Sequence, residues 1–164
     1  MTYLYKRQKI LTIRERFAYY DANQRLVYNA RGLFTIPKRY EITKAGQQRP
    51  VIGIRRKFFT FMPKFYLTDF NTNTVLATIR KRFRIGRPFL DIFLANGQRL
   101  LIEGSWWLHN FRILDDRGNV LVVVSKKVFA WADTYEIMID ETKIDLNLGA
   151  AITIALDCVF HSQN

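Results

Sequence analysis

A chain of 164 residues is sized for one domain with a sizeable core, and a composition 49% apolar and 24% charged excludes a disordered or fibrous protein. The 26 Lys and Arg against 14 Asp and Glu leave a net charge of +12, which attracts polyanions such as nucleic acid or anionic lipid. A single cysteine, Cys158, excludes an internal disulfide and fits a reducing, cytoplasmic compartment.

The opening stretch, MTYLYKRQKILTIRERF, carries charge throughout and has no uninterrupted apolar core, so it does not read as a signal peptide. Aromatic residues make up 15% of the chain and, with many β-branched residues, favour strands. Three segments then align with one another: FAYYDANQRLVYNARGLF from Phe17, FYLTDFNTNTVLATIRKRF from Phe65 and FRILDDRGNVLVVVSKKVF from Phe111. Each places Asp (Asp21, Asp69, Asp115) shortly after an aromatic, resumes an apolar run at Leu26, Val75 or Val120, and ends on Phe.

That arrangement predicts strand, polar turn, strand, because Asp at a turn entrance accepts backbone N–H bonds and Gly or Asn tolerates positive φ. Looser copies run from Tyr40 to Phe59, turning at Ala45-Gly46, and from Phe89 to Trp107, turning at Asn96-Gly97. A sixth unit is expected from Tyr135, turning near Asp140-Glu141. A period of roughly 20 to 26 residues implies about six hairpins, or about twelve antiparallel strands. So many strands curl and close, which also removes unpaired edges.

A barrel that wide needs something inside it. The last segment, LNLGAAITIALDCVFHSQN, is apolar on every side of a helix yet too short to span a bilayer. Residues 146–161 are therefore expected to run through the barrel as a central helix. Ile152, Ile154, Leu156, Val159 and Phe160 form its apolar surface, and Asp157 is a buried carboxylate that needs a partner, such as strand backbone or an Arg at the barrel mouth. Cys158 and His161 read as a core thiol and a cation at the helix end. The whole of 1–164 reads as one domain.

The N-terminal YLYKRQKILTIRERFAYYDANQRLVY, the repeated hairpins and the final AITIALDCVFHS resemble the bacterial LURP-one-related proteins of the Tubby C-terminal-like superfamily, which includes phospholipid scramblases. The resemblance covers essentially the whole chain. It implies an all-β fold, a closed antiparallel barrel of about twelve strands around a central hydrophobic helix. It also implies lipid-related chemistry, since Tubby-like domains bind phosphoinositides through basic side chains. The scramblase calcium loop and cysteine cluster have no counterpart in a chain with one Cys.

The surface feature that fits such chemistry is the interleaving of basic and aromatic residues. GIRRKFFTFMPKFY carries Arg55, Arg56, Lys57 and Lys64 among Phe58, Phe59, Phe61 and Phe65; TIRKRFRIGRP carries Arg80, Arg82, Arg84 and Arg87 beside Phe83. Strand alternation places Arg80, Arg82 and Arg84 on one face, opposite Ile79, Phe83 and Ile85. Arg grips phosphate by a bidentate fork, and nearby aromatics meet lipid or bases. The ordinary alternative is a solvated outer wall.

No GxSxG, phosphate-cradling glycine loop or pair of histidines at metal spacing occurs. His109 reads as a packed or rim histidine, and one of Trp106 and Trp107 is expected to face outward from a strand. The expectation is thus a non-enzymatic module, without cofactor or metal, that binds anionic phospholipid or another phosphorylated ligand, peripherally at a membrane. A protein-interaction scaffold and a nucleic-acid binder are the other two readings.

Overall fold

The structure is a computed structural model that describes residues 1–8, 16–57, 63–84, 87–105, 108–129 and 132–161. At 7–8, 83–84, 87–89, 127–129, 132–133 and 158–161 only the backbone is described. The strands are β1 (Thr2–Gln8), β2 (Arg16–Tyr20), β3 (Leu26–Leu33), β4 (Arg39–Lys44), β5 (Ile52–Arg56) and β6 (Lys64–Asp69). They continue with β7 (Val75–Arg84), β8 (Arg87–Leu94), β9 (Arg99–Ser105), β10 (Asn110–Leu114), β11 (Val120–Phe129) and β12 (Ala132–Ile139), and a helix α1 (Leu146–His161) follows. Each strand pairs antiparallel with its sequence neighbours, and β1 pairs with β12 to close the barrel.

The turns follow from side-chain chemistry. Asp21, Asp69 and Asp115 each accept the backbone N–H two residues on, at 2.7–2.9 Å. Gln24, Gly46, Asn73, Gly97 and Gly118 supply the positive φ that returns the chain. The three aligned segments share one more detail: β2, β6 and β10 each carry a register shift just before the turn Asp. Their likeness in sequence is thus a likeness in bulge and turn.

The sixth unit differs from expectation. The chain turns at Asp140, whose carboxylate accepts from the Thr142 N–H and hydroxyl, but it enters α1 instead of a second strand. The barrel's remaining strand is β1, which lies between β12 and β2. Five hairpins plus the two closing strands therefore make up the wall.

α1 starts at an N-cap, Asp145, whose carboxylate accepts the Leu148 N–H at 2.9 Å. Ala150, Ala151, Ile152, Ile154, Ala155 and Leu156 are all buried, so the helix is covered on every side by inward-facing strand residues such as Ile42, Ile54, Leu67, Ile79 and Ile137. Val159 and Phe160 fall outside the described side chains. At Gly149 a Cβ would lie 3.0 Å from Ile139 Cγ2, so a small residue lets the helix enter close to β12. The helix N-terminus lies at the end of the barrel that carries the five hairpin turns (the turn end). Its C-terminus points to the opposite end, where segments such as 34–38 join the strands (the loop end). Among the described residues no helix is long and apolar enough to cross a membrane.

Candidate functional site

Two features stand at the loop end, a buried charge cluster inside the barrel and a basic wall outside it. Strand alternation puts Leu4 and Lys6 of β1 inside, and Lys6 is only 2% exposed. Its ammonium pairs with Asp157, 5% exposed, on the last turns of α1. The other Asp157 oxygen lies 2.6 Å from His109 Nε2. His109 holds a left-handed backbone, φ 52°, which a non-glycine residue adopts only where its surroundings enforce it. Its ring packs on Tyr135 at 4.2 Å between centroids. Lys6 Nζ stands 4.7 Å above the Phe17 ring and 5.1 Å from that of Tyr135.

Burial by itself raises the Asp157 carboxyl. The Lys6 ammonium and the His109 hydrogen bond outweigh burial and hold it below the ordinary carboxylate range. The cluster is thus an ion pair with charge-assisted hydrogen bonds, worth most as an anchor between β1, the β9–β10 return and α1. The cavity beside it, bordered by Tyr19 and Thr153, has a volume of about 10 Å³, room for one water and no substrate. Asp157 meets Lys6 and His109, in place of the strand backbone or Arg expected at the barrel mouth. Lys6 escaped notice because a lysine in an alternating strand reads as solvent-facing. His109 is the packed rim histidine of the sequence reading. The side chains of Cys158 and His161, together with Trp106, Trp107, Phe58, Phe59 and Phe61, fall outside what is described.

The wall differs in detail from a continuous arginine stripe. Arg80 and Arg82 of β7 are exposed and Ile79 is buried, as alternation requires. Across from Arg80 on β8, however, stands Asp91. Its carboxylate is covered by Arg82 Nε on one oxygen and by Arg99 at 2.7 Å on the other. Arg82 is therefore spoken for, and Arg80 lies over the Phe93 ring at 5.3 Å. A stripe read along one strand does not reveal a carboxylate supplied by the next. Arg56 is a second correction: it shares the inward face of β5 with Ile52 and Ile54. Lys81 likewise faces in, and burial lowers its ammonium. Arg84 and Arg87 are placed by backbone alone, at the β7–β8 end.

What remains outside is a set of like charges brought face to face. Arg39 of β4 pairs in register with Arg55 of β5, and Lys64 of β6 with Arg80 of β7; Lys57 is exposed just beyond β5. Among the described residues no carboxylate makes an ion pair with Arg39, Arg55, Lys57, Lys64 or Arg80. Like charges directly opposite one another destabilise a sheet. Arg39 and Arg55 also line an outer groove of about 490 Å³. Gly53 floors it and the Phe70 ring borders it; a Cβ on Gly53 would meet that ring at 2.9 Å. The two acids of the groove are engaged, Glu41 with Arg31 at 2.7 Å and Asp69 with the N–H groups of its turn. Among the described residues no group of three or more His, Cys, Asp or Glu side chains is placed to hold a metal ion.

The protein YxjI of Bacillus subtilis (strain 168), described as uncharacterized, is 25% identical over 164 residues, covering 99% of this chain and 96% of its own. Among solved structures, an Arabidopsis thaliana protein determined by X-ray crystallography superposes with a TM-score of 0.65 at 15% identity, over 96% of this chain and 91% of that one. The shared feature is the fold itself. The family model described as LURP-one-related matches residues 2–157, from the strand that carries Lys6 to the aspartate that receives it, and the chain belongs to that family.

Proposed function

We propose that the protein is a non-enzymatic binding module for anionic phospholipid or another phosphorylated ligand, and that the ligand sits on the outer wall at the loop end. The observation that carries this reading is the Arg39–Arg55 cross-strand pair at the mouth of the groove, with Lys64–Arg80 beside it. Facing guanidinium groups destabilise the free sheet, and a phosphate between them converts that repulsion into two forked contacts. The Phe70 ring, packed over Gly53, gives a group bound in the groove an apolar surface to lie against. A peripheral place on a cytoplasmic membrane face follows from the same chemistry, since that leaflet is anionic.

The experiment is flotation of the purified protein with neutral and anionic vesicles across a salt series. Binding is expected to anionic vesicles alone and to fade as salt rises. Reversing Arg39 and Arg55 to Glu is expected to weaken it by well over tenfold, since each basic residue near an anionic surface contributes about 1 kcal/mol. Binding that is indifferent to both reversals reduces the wall to a solvated surface, and a gel shift with mixed DNA and RNA then tests nucleic acid as the polyanion.

A further inference from the structure

Of the described apolar side chains that are more than half exposed, three stand at one end of the barrel and one, Met1 at 66%, at the other. Ile36 is 89% exposed, Phe34 73% and Leu108 62%, against 36–48% for Leu26, Tyr3, Val75 and Phe70 toward the turn end. Phe34 and Ile36 share the loop that joins β3 to β4, and Leu108 immediately precedes the β9–β10 return at His109. All three therefore sit at the loop end. The 34–38 segment is tightly held: the Thr35 N–H donates to Leu33 O and its hydroxyl to Pro37 O, both at 3.0 Å. The two side chains on either side of Thr35 are thus presented by an ordered turn.

Charge is distributed with the same polarity. The exposed Arg16, Arg39, Arg55 and Lys57 lie at or near the loop end, whereas Asp21, Asp69, Asp115 and Asp140 hold the turn end, offset there by Arg25, Arg117 and Lys143. Leu33 and Arg39, the residues that flank the 34–38 loop, are also the upper border of the groove. Apolar tips ringed by cations, above a site suited to phosphate, match the layering of an anionic bilayer, acyl chains beneath charged headgroups.

We propose that the protein docks end-on to an anionic bilayer, with Phe34, Ile36 and Leu108 entering the interface and Arg39 and Arg55 taking a lipid phosphate. This rests on the anion-binding reading above and adds the bilayer as the source of the phosphate and the orientation of the barrel on it. The helix axis then stands across the membrane plane, with the acidic turns facing away.

The test labels single cysteines with an environment-sensitive nitrobenzoxadiazole dye in a Cys158→Ser background, at Ile36→Cys, Leu108→Cys and, on the turn end, Thr72→Cys. Phosphatidylcholine vesicles with and without phosphatidylserine are the probe, and inositol hexakisphosphate is the soluble phosphate. Dyes at 36 and 108 are expected to brighten and shift blue only with phosphatidylserine, while the dye at 72 stays unchanged. The Ile36→Ser/Leu108→Ser variant is expected to lose tenfold or more in vesicle partitioning per side chain, with inositol hexakisphosphate binding and melting temperature unchanged. Four results overturn the inference. Vesicle binding with dark dyes at 36 and 108 means the barrel lies on its wall, and inositol phosphate binding without vesicle binding means the ligand is soluble; both leave the anion reading intact. A dimer that the serine variant dissolves assigns the tips to self-association. Failure to bind either probe removes both readings together.

Discussion

Replacing Asp157 with Asn preserves the shape of the buried cluster and removes its negative charge, leaving the Lys6 ammonium with two aromatic rings for company. Breaking one side of a buried pair costs about 3–5 kcal/mol, because the surviving charge stays desolvated. The Phe17 and Tyr135 faces retain about 1–2 kcal/mol of favourable contact with the cation, which places the expected loss near the lower end, about 3 kcal/mol. For a chain of this size that is a fall of about 6–12 °C in melting temperature. Lys6→Met is expected to cost less, about 2 kcal/mol, since Asp157 keeps His109. The double variant Lys6→Met/Asp157→Asn leaves no buried charge without its counterion, and it is expected to recover at least half of the Asp157→Asn loss.

Urea unfolding of the four proteins supplies the cycle, with a coupling of about 3.5 kcal/mol expected. Acid sharpens the test. A carboxyl held below its ordinary range stabilises the fold fully above the unfolded value, near pH 4, and the contribution fades as pH falls through the folded one. The gap between wild type and Asp157→Asn is therefore expected to be constant from pH 7 down to about 5 and to close below about 4. Additive single effects, or a gap that ignores acid, would show that Lys6 and Asp157 do not act as a pair.

Asp91→Asn frees Arg82 and Arg99 from their shared carboxylate, so vesicle or phosphate binding is expected to strengthen severalfold; weaker binding would mean that Asp91 orients the wall for its ligand. Tyr28, inside the barrel, donates to Asn147 Oδ1 at 2.7 Å, and burial first, then Asp145 and Glu141, push its hydroxyl up to about 12. The unfolded tyrosine ionises from about pH 10, so stability is expected to fall between about 10 and 12, and Tyr28→Phe is expected to flatten that fall in denaturant titrations. Ending the chain at Asp145 removes the apolar filling of the barrel and is expected to abolish cooperative melting by calorimetry; a soluble truncation with a sharp transition would refute the central-helix account.

Features set by local chemistry were legible in the sequence. Asp21, Asp69 and Asp115 announce turns because an Asp side chain bonds backbone two residues away, whatever the rest of the chain does. The helix is legible because residues 146–157 are apolar around the full circumference, which no surface helix tolerates. Long-range partners were not legible. Lys6 and Asp157 lie 151 residues apart, and the signal that Lys6 turns inward is its phase with Leu4 against the exposed Tyr3, a weak alternation within seven residues. On the wall, Arg56 carries the same charge as its neighbours but the opposite phase, so a count of basic residues along GIRRK placed it outside and geometry puts it in. Asp91 was overlooked because it lies within an apolar run, PFLDIFL, where its neighbours Leu90 and Ile92 suggested a core strand and nothing more.

Closure through β1 and β12 also imposes an order in time. Thr2 finds Ile139 as its partner, and Lys6 finds Asp157, only after nearly the whole chain exists. Until then a nascent chain carries an open sheet with two bare edges and an uncovered apolar face, and no local hairpin can shield them. Contacts of such sequence separation make folding slow and late, completed after synthesis instead of along it. Growth temperature and chaperone supply are thus expected to govern the yield of this barrel more than changes in its surface residues.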